Sequence, residues 1–166
     1  MSSIEIRTMQ KKDWPAVSQI YAEGIETGFA TFETAIPKYE SWDTAHMPTC
    51  RIVAIENEHV LGWAALSPVS SRCVYGGVAE VSVYVASAAR GKGIGKQLMQ
   101  TLITQSEKEG LWTLQSGIFP ENKGSIGLHE KMGFRFIGKR EKVGKLHGEW
   151  KDNVLFERRS TTVGVD

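Results

Sequence analysis

The chain has 166 residues, 41% hydrophobic and 23% charged, with a formal net charge of +1. One domain over residues 1–166 is expected, long enough to bury its own core. The near-neutral charge excludes a global pull toward nucleic acid or a membrane surface, so any basic site must be local. No apolar run approaches the ~20 residues of a membrane helix. The opening "MSSIEIRTMQKKDW" lacks the apolar core of a secretory leader, so a cytoplasmic location is expected. Cys50 and Cys73 are too few for a disulfide framework. They also lack CxxC or Cys/His spacing, so free thiols and no metal are expected.

In chain order, "IEIRTM" (4–9) alternates and predicts a strand. "DWPAVSQIYAEGIETG" (13–28) predicts a helix. Asp13 is its candidate N-cap, Pro15 lies in its first turn, and Gly28 closes it. "ATFETAIP" reads as a loop and "YESWDTAHM" as a short helix. "RIVAIEN" and "VLGWAALS" predict a hairpin turning at Glu58-His59. "AEVSVYVA" is the next strand.

Residues 93–109 predict a helix with Leu98, Met99, Leu102 and Ile103 on one apolar stripe, stopped by Gly110. "LWTLQSGIF" predicts a strand. "ENKGSIGLHEKMGF" predicts a short helix with Ile126, Leu128 and Met132 inward. "FRFIGKREKVG" and "WKDNVLFERR" close the chain as two strands. The expectation is a single-domain α/β fold, a mixed sheet of about seven strands with about four helices. The strand–helix–strand path from Glu80 to Phe119 requires a parallel crossover.

The turn inside that crossover, Arg90-Gly91-Lys92-Gly93-Ile94-Gly95-Lys96, has the make-up of a phosphate cradle. Glycines let the backbone turn tightly and approach a ligand. The first-turn N–H groups and the helix dipole then favour an anion. A Walker A loop would need glycine where Arg90 stands and Ser/Thr where Gln97 stands. A dinucleotide fingerprint would need glycine at Lys96.

Arg90-x-x-Gly93-x-Gly95 resembles the acetyl-CoA loop of the Gcn5-related N-acetyltransferase superfamily, and "NKGSIGLHEKMGF" resembles a second segment of that family. "IYAEGIETGFATFET", "VYGGVAEVSVYV" and "KLHGEWKDNVLFER" are similar to its phosphinothricin and methionine-sulfoximine acetyltransferase branch. The resemblance implies acetyl-CoA as co-substrate, an α-amine of a small amino acid or analogue as acceptor, and a homodimer. It implies that backbone groups of Val83, Tyr84 and Val85 pair with the pantetheine arm, and that Asn122 and Ser125 hydrogen-bond it. Helix capping is an equally good use of Asn122 and Ser125.

Glu80 is an acid in an otherwise apolar strand, where a core-facing carboxylate is rare. The resemblance implies that it is the base for the acceptor amine, and that His129 serves the departing thiolate. It further implies that Arg72 grips the substrate carboxylate. Tyr75, Phe29, Thr31, Phe32, Glu33, Val81 and Ser82 would line the acceptor side. Val78-Ala79 stands where the family frequently has Thr-Val, which bears on substrate preference. Cys73 lacks a base partner for nucleophilic catalysis, and His147 has no assigned role. Other readings are acetylation of a protein N-terminus, polyamine or antibiotic, or a non-catalytic acyl-CoA sensor. The acid-free loop "SPVSSRCVYGGVA" weighs against polycationic acceptors.

Overall fold

The computed structural model describes residues 3–166. In chain order its elements are strand β1 (Glu5–Thr8), helices α1 (Trp14–Thr27) and α2 (Tyr39–Ala45), and strands β2 (Ile52–Glu56), β3 (His59–Pro68) and β4 (Val78–Val85). Then come helix α3 (Ile94–Lys108), strand β5 (Thr113–Ile118), helix α4 (Lys123–Lys131), and strands β6 (Arg135–Leu146) and β7 (Glu149–Arg159). The strands form one seven-stranded sheet ordered β1-β2-β3-β4-β5-β7-β6. Every pairing is antiparallel except β4–β5, which α3 bridges as the expected crossover.

Alternation along the central strands feeds two cores. Ile52, Ala54, Ala64, Leu66, Ala79 and Val81 meet Leu98, Met99 and Leu102 of α3 on one face. Val53, Trp63 and Ala65 meet Val17 and Ile20 of α1 and Trp42 of α2 on the other. A strand buried on both faces has to be apolar there, as residues 52–55 and 61–66 are. On the second face α1 lies against the strands at Gly24, where a Cβ would meet the Tyr84 ring at 2.6 Å.

Two local expectations are corrected. The β2–β3 turn is Asn57-Glu58, one residue earlier than expected, with φ of 50° and 67°. A two-residue hairpin that matches strand twist needs both central residues at positive φ, and asparagine tolerates this well. Asp13 does not cap α1 with its side chain. Its carboxylate instead accepts from Arg7 at 2.8 and 2.9 Å and from the Gln10 N–H at 2.7 Å, tying β1 to the entry of α1. The Arg7 hydrogen bonds hold that carboxyl below its ordinary range. In α4, Ile126 and Leu128, with Met132 at its C-cap, point inward as expected and pack against the core, and the buried side chain is His129.

Candidate active site

The β4–β5 ladder is three residues long: Val78↔Thr113, Ala79↔Leu114 and Glu80↔Gln115. Beyond it the strands diverge. β4 stays paired with β3 as far as Val85, and β5 stays paired with β7 as far as Ile118. Among the described residues no strand covers the β5-facing edge of β4 past Glu80. Backbone groups there are open to an extended ligand that pairs as another strand would. The opening is a cleft of about 1260 Å³ whose wall includes Val81, Ser82, Val83, Tyr84 and Val85.

At one end of the cleft lies the glycine turn. Gly91 and Gly93 have φ of 84° and 75°, and a Cβ at either would point into open space. Gly93 is the N-cap of α3 and has no side chain to satisfy the first-turn N–H groups, and no acid lies in that turn. Arg90, Gly91, Gly93, Ile94, Gly95 and Lys96 are on the wall, joined by Lys123 from α4. Lys92 is not; its ammonium pairs with Glu56 at 3.4 Å. Bare N–H groups, a helix dipole and three cations suit a pyrophosphate. Asn122 and Ser125 also line the cleft, and Asn122 Oδ1 accepts from the Ser125 N–H at 3.2 Å. The capping reading of this pair therefore holds, and both residues also line the cleft.

Glu80 does not face a core. It is exposed and stands on the cleft wall where the ladder ends. Ala79 and Val81 point to α3, so Glu80 and Ser82 point to the α1 side, as Tyr84 does. Tyr84 spends its side chain on packing. Its ring stacks on Trp63 at 4.9 Å and meets Tyr21 at 5.0 Å, and burial pushes its phenol far above the ordinary value.

On the same α1 side stand Phe29, Thr31, Phe32 and Glu33. The Phe32 ring meets Phe119 edge-on at 4.6 Å and closes over Gly144 of β6. Asn153 reaches in from β7, its amide filling the space beside Gly117. Arg140, opposite Asn153 in the β6–β7 register, lies on that face of the wall and has no carboxylate partner among the described residues. Arg72 and Tyr75 are elsewhere: both are exposed, neither lines the cleft, and the guanidinium sits 5.6 Å over the Tyr75 ring. His147 lies in the β6–β7 turn, also off the wall.

His129 sits on the opposite face, 4% exposed. Its Nδ1 is 2.7 Å from the Ser125 carbonyl and its Nε2 is 2.8 Å from Ser116 Oγ. A carbonyl only accepts, so Nδ1 carries the proton and Nε2 accepts from the Ser116 hydroxyl. Burial lowers the imidazole's pKa, and the Ser125 carbonyl only partly opposes this. The neutral ring with a basic Nε2 is the favoured form. Ser116, Arg140, Asn153, Tyr21 and Phe119 are site residues that sequence reasoning missed. Only Ser116 left a signal there, as the one polar residue at alternate positions with Leu114 and Ile118.

Among the described residues no group of three or more His, Cys, Asp or Glu is placed to hold a metal ion, and no helix is long and apolar enough to cross a membrane. Cys50 is buried and Cys73 exposed, both as free thiols.

Residues 7–134 match the model of the acetyltransferase (GNAT) family. The chain is 33% identical to phosphinothricin N-acetyltransferase of Alcaligenes faecalis, over 92% of this chain and 81% of that one. It is 33% identical to the L-methionine sulfoximine/L-methionine sulfone acetyltransferase of Pseudomonas aeruginosa, over 93% and 94%. A GNAT superfamily phosphinothricin acetyltransferase from Sinorhizobium meliloti, solved in complex with acetyl-CoA, superposes with a TM-score of 0.84. That match has 27% identity and covers 98% of this chain and 96% of that one. With a matching family model over most of its length and a strand split beside a glycine-capped helix, the chain belongs to the GNAT acetyltransferase family.

Proposed function

We propose that this chain transfers the acetyl group of acetyl-CoA to the α-amino group of a small amino acid or analogue. Phosphinothricin, methionine sulfoximine and methionine sulfone are the leading acceptors. The observation that carries this reading is a carboxylate and a free cation, Glu80 and Arg140, on one face of a split sheet whose far end is a pyrophosphate cradle. An amino acid offers complementary groups, an ammonium and a carboxylate. The names of the relatives point the same way.

In this reading the pantetheine arm lies along residues 81–85 and brings the thioester to the end of the ladder. The amine attacks directly in a ternary complex, with much of the rate coming from fixed proximity. A free amino acid's α-ammonium is protonated at neutral pH and has no lone pair for attack. Glu80, directly or through a water, takes its first proton. Arg140 holds the acceptor carboxylate in a charge-assisted pair, while Phe32 and Phe119 wall the side chain. We read the chain as a cytoplasmic homodimer. The dimer reading draws support from the outer hairpin, where Phe136 and Trp150 are 57% and 55% exposed.

The direct test is a panel of amino acids and their analogues, with a peptide and a polyamine, read by CoA release. Free amino acids or their analogues should be acetylated with the highest kcat/KM. A peptide or polyamine leading the panel would overturn the reading. Arg140→Ala should raise KM for the acceptor at least ~10-fold and barely move KM for acetyl-CoA. If Arg72→Ala does this and Arg140→Ala does not, the carboxylate binds at the Arg72 loop instead. Glu80→Gln should lower kcat by ~10²-fold near neutral pH. Part of the loss should return as pH rises, because free amine becomes abundant. An unchanged kcat across the pH range would remove Glu80 from the chemistry.

A further inference from the structure

We propose that Ser116 and His129 form a proton shuttle in which the Ser116 hydroxyl touches the reacting atoms and His129 stores the proton. The inference rests on the acetyl-transfer reading above. Ser116 is the first residue of β5 past the last β4 pair, so it stands where the split opens. It is 3% exposed and on the cleft wall. Leu114 and Ile118 point to the α3 core, and Ser116 follows their direction to meet α4. It therefore acts from the face opposite Glu80.

His129 does not deliver a proton on its own in this arrangement. Nδ1–H is committed to the Ser125 carbonyl, and Nε2 carries no proton and accepts a hydrogen bond from the Ser116 hydroxyl. The groups packed on the ring are Ser125 from its own helix, Ser116 from β5, Phe134, and Phe156 from β7; none is charged. A hydroxyl that donates to a base keeps a lone pair for a second partner. That lone pair is the shuttle's end in the cleft.

The proton balance is complete. The neutral amine forms a bond to the thioester carbon, and the carbonyl π pair moves to oxygen. The adduct nitrogen is then positively charged. Its N–H proton passes to Ser116 Oγ as the Ser116 proton passes to His129 Nε2, giving an imidazolium that the Ser125 carbonyl stabilises. The carbonyl reforms, the C–S bond breaks, and sulfur leaves with the pair. The imidazolium returns a proton through Ser116 to the thiolate. Nitrogen and sulfur are bonded to the same carbon, so one hydroxyl serves both, and His129 ends neutral.

The test uses the full chain with acetyl-CoA and the best amino acid of the panel. Ser116→Ala should lower kcat ~10²-fold with KM for acetyl-CoA within about two-fold. Ser116→Thr, which keeps a hydroxyl, should recover at least ~10-fold of that. Wild-type kcat should fall as pH drops through the His129 titration, below the ordinary ~6.5, because an imidazolium cannot accept. Imidazole NMR locates that titration and should show the Nδ1–H tautomer. In Ser116→Ala the fall should vanish, and adding His129→Ala should slow it no further than ~3-fold, since the two act in series. Should His129→Ala fail to fold, the Ser116 series, the pH profile and the NMR decide alone. Wild-type kcat in Ser116→Ala, losses that multiply in the double variant, or an Nε2–H tautomer would overturn the shuttle. A wild-type chain that acetylates nothing in the panel overturns the amino-acid reading and the shuttle with it. An active wild type with an equally active Ser116→Ala overturns the shuttle alone.

Discussion

The parallel hydrogen bonding between β4 and β5 stops after Glu80 and Gln115, and the site exists because it stops there. Each strand has an antiparallel neighbour that runs on, β3 for β4 and β7 for β5, and these hold the arms of the fork apart. Antiparallel pairing is slightly more stable per residue than parallel pairing. The sheet therefore gives up its one parallel ladder and keeps the flanking ones. The result is an unpaired strand edge inside a single domain, where backbone N–H and C=O groups otherwise demand partners. A ligand that can hydrogen-bond like a strand meets that demand.

The fork also divides the chemistry between two faces. Alternation sends Glu80 toward the α1 side, with Phe32, Asn153 and Arg140. It sends Ser116 toward the α3 and α4 side, with His129. Charge and polarity differ accordingly. The α1 side holds an exposed carboxylate and a guanidinium. The other side holds a nearly buried neutral hydroxyl–imidazole pair among Phe134 and Phe156. In the proposed reaction the incoming amine loses its first proton on the wet face, and the second moves on the dry one. In the same proposal the glycine turn at the start of α3 holds the donor's phosphates at the other end of the cleft.

The fold was legible because its signals are local and periodic. Both-face apolar runs marked β2 and β3, and the stripe from Leu98 to Ile103 marked α3. Gly28 closes α1 in the left-handed conformation expected of it. The glycine and basic turn was legible for the same reason, since its residues are contiguous in the chain. The proposed acceptor side was legible only in part: Phe29, Thr31, Phe32, Glu33, Val81 and Ser82 line the cleft, while Arg72 and Tyr75 do not. Arg140 and Asn153 reach the cleft only because β6 and β7 pair in one register and β7 pairs with β5 in another. No spacing in the sequence encodes that sum. Arg72 carried an expectation from resemblance, and in this chain it stacks on Tyr75 outside the cleft. His129 was found as a residue, but its tautomer and its dependence on Ser116 come from contacts thirteen positions apart in the chain.

The account stands on the open edge of β4 taking up the acyl-CoA arm as an added strand. Amide hydrogen exchange on the full chain, with and without acetyl-CoA, tests this most directly. Acetyl-CoA should slow exchange in residues 81–85 and in the first turn of α3 while leaving β1, β2 and the β6–β7 hairpin unchanged. Protection confined to the glycine turn, with residues 81–85 exchanging as before, would contradict it.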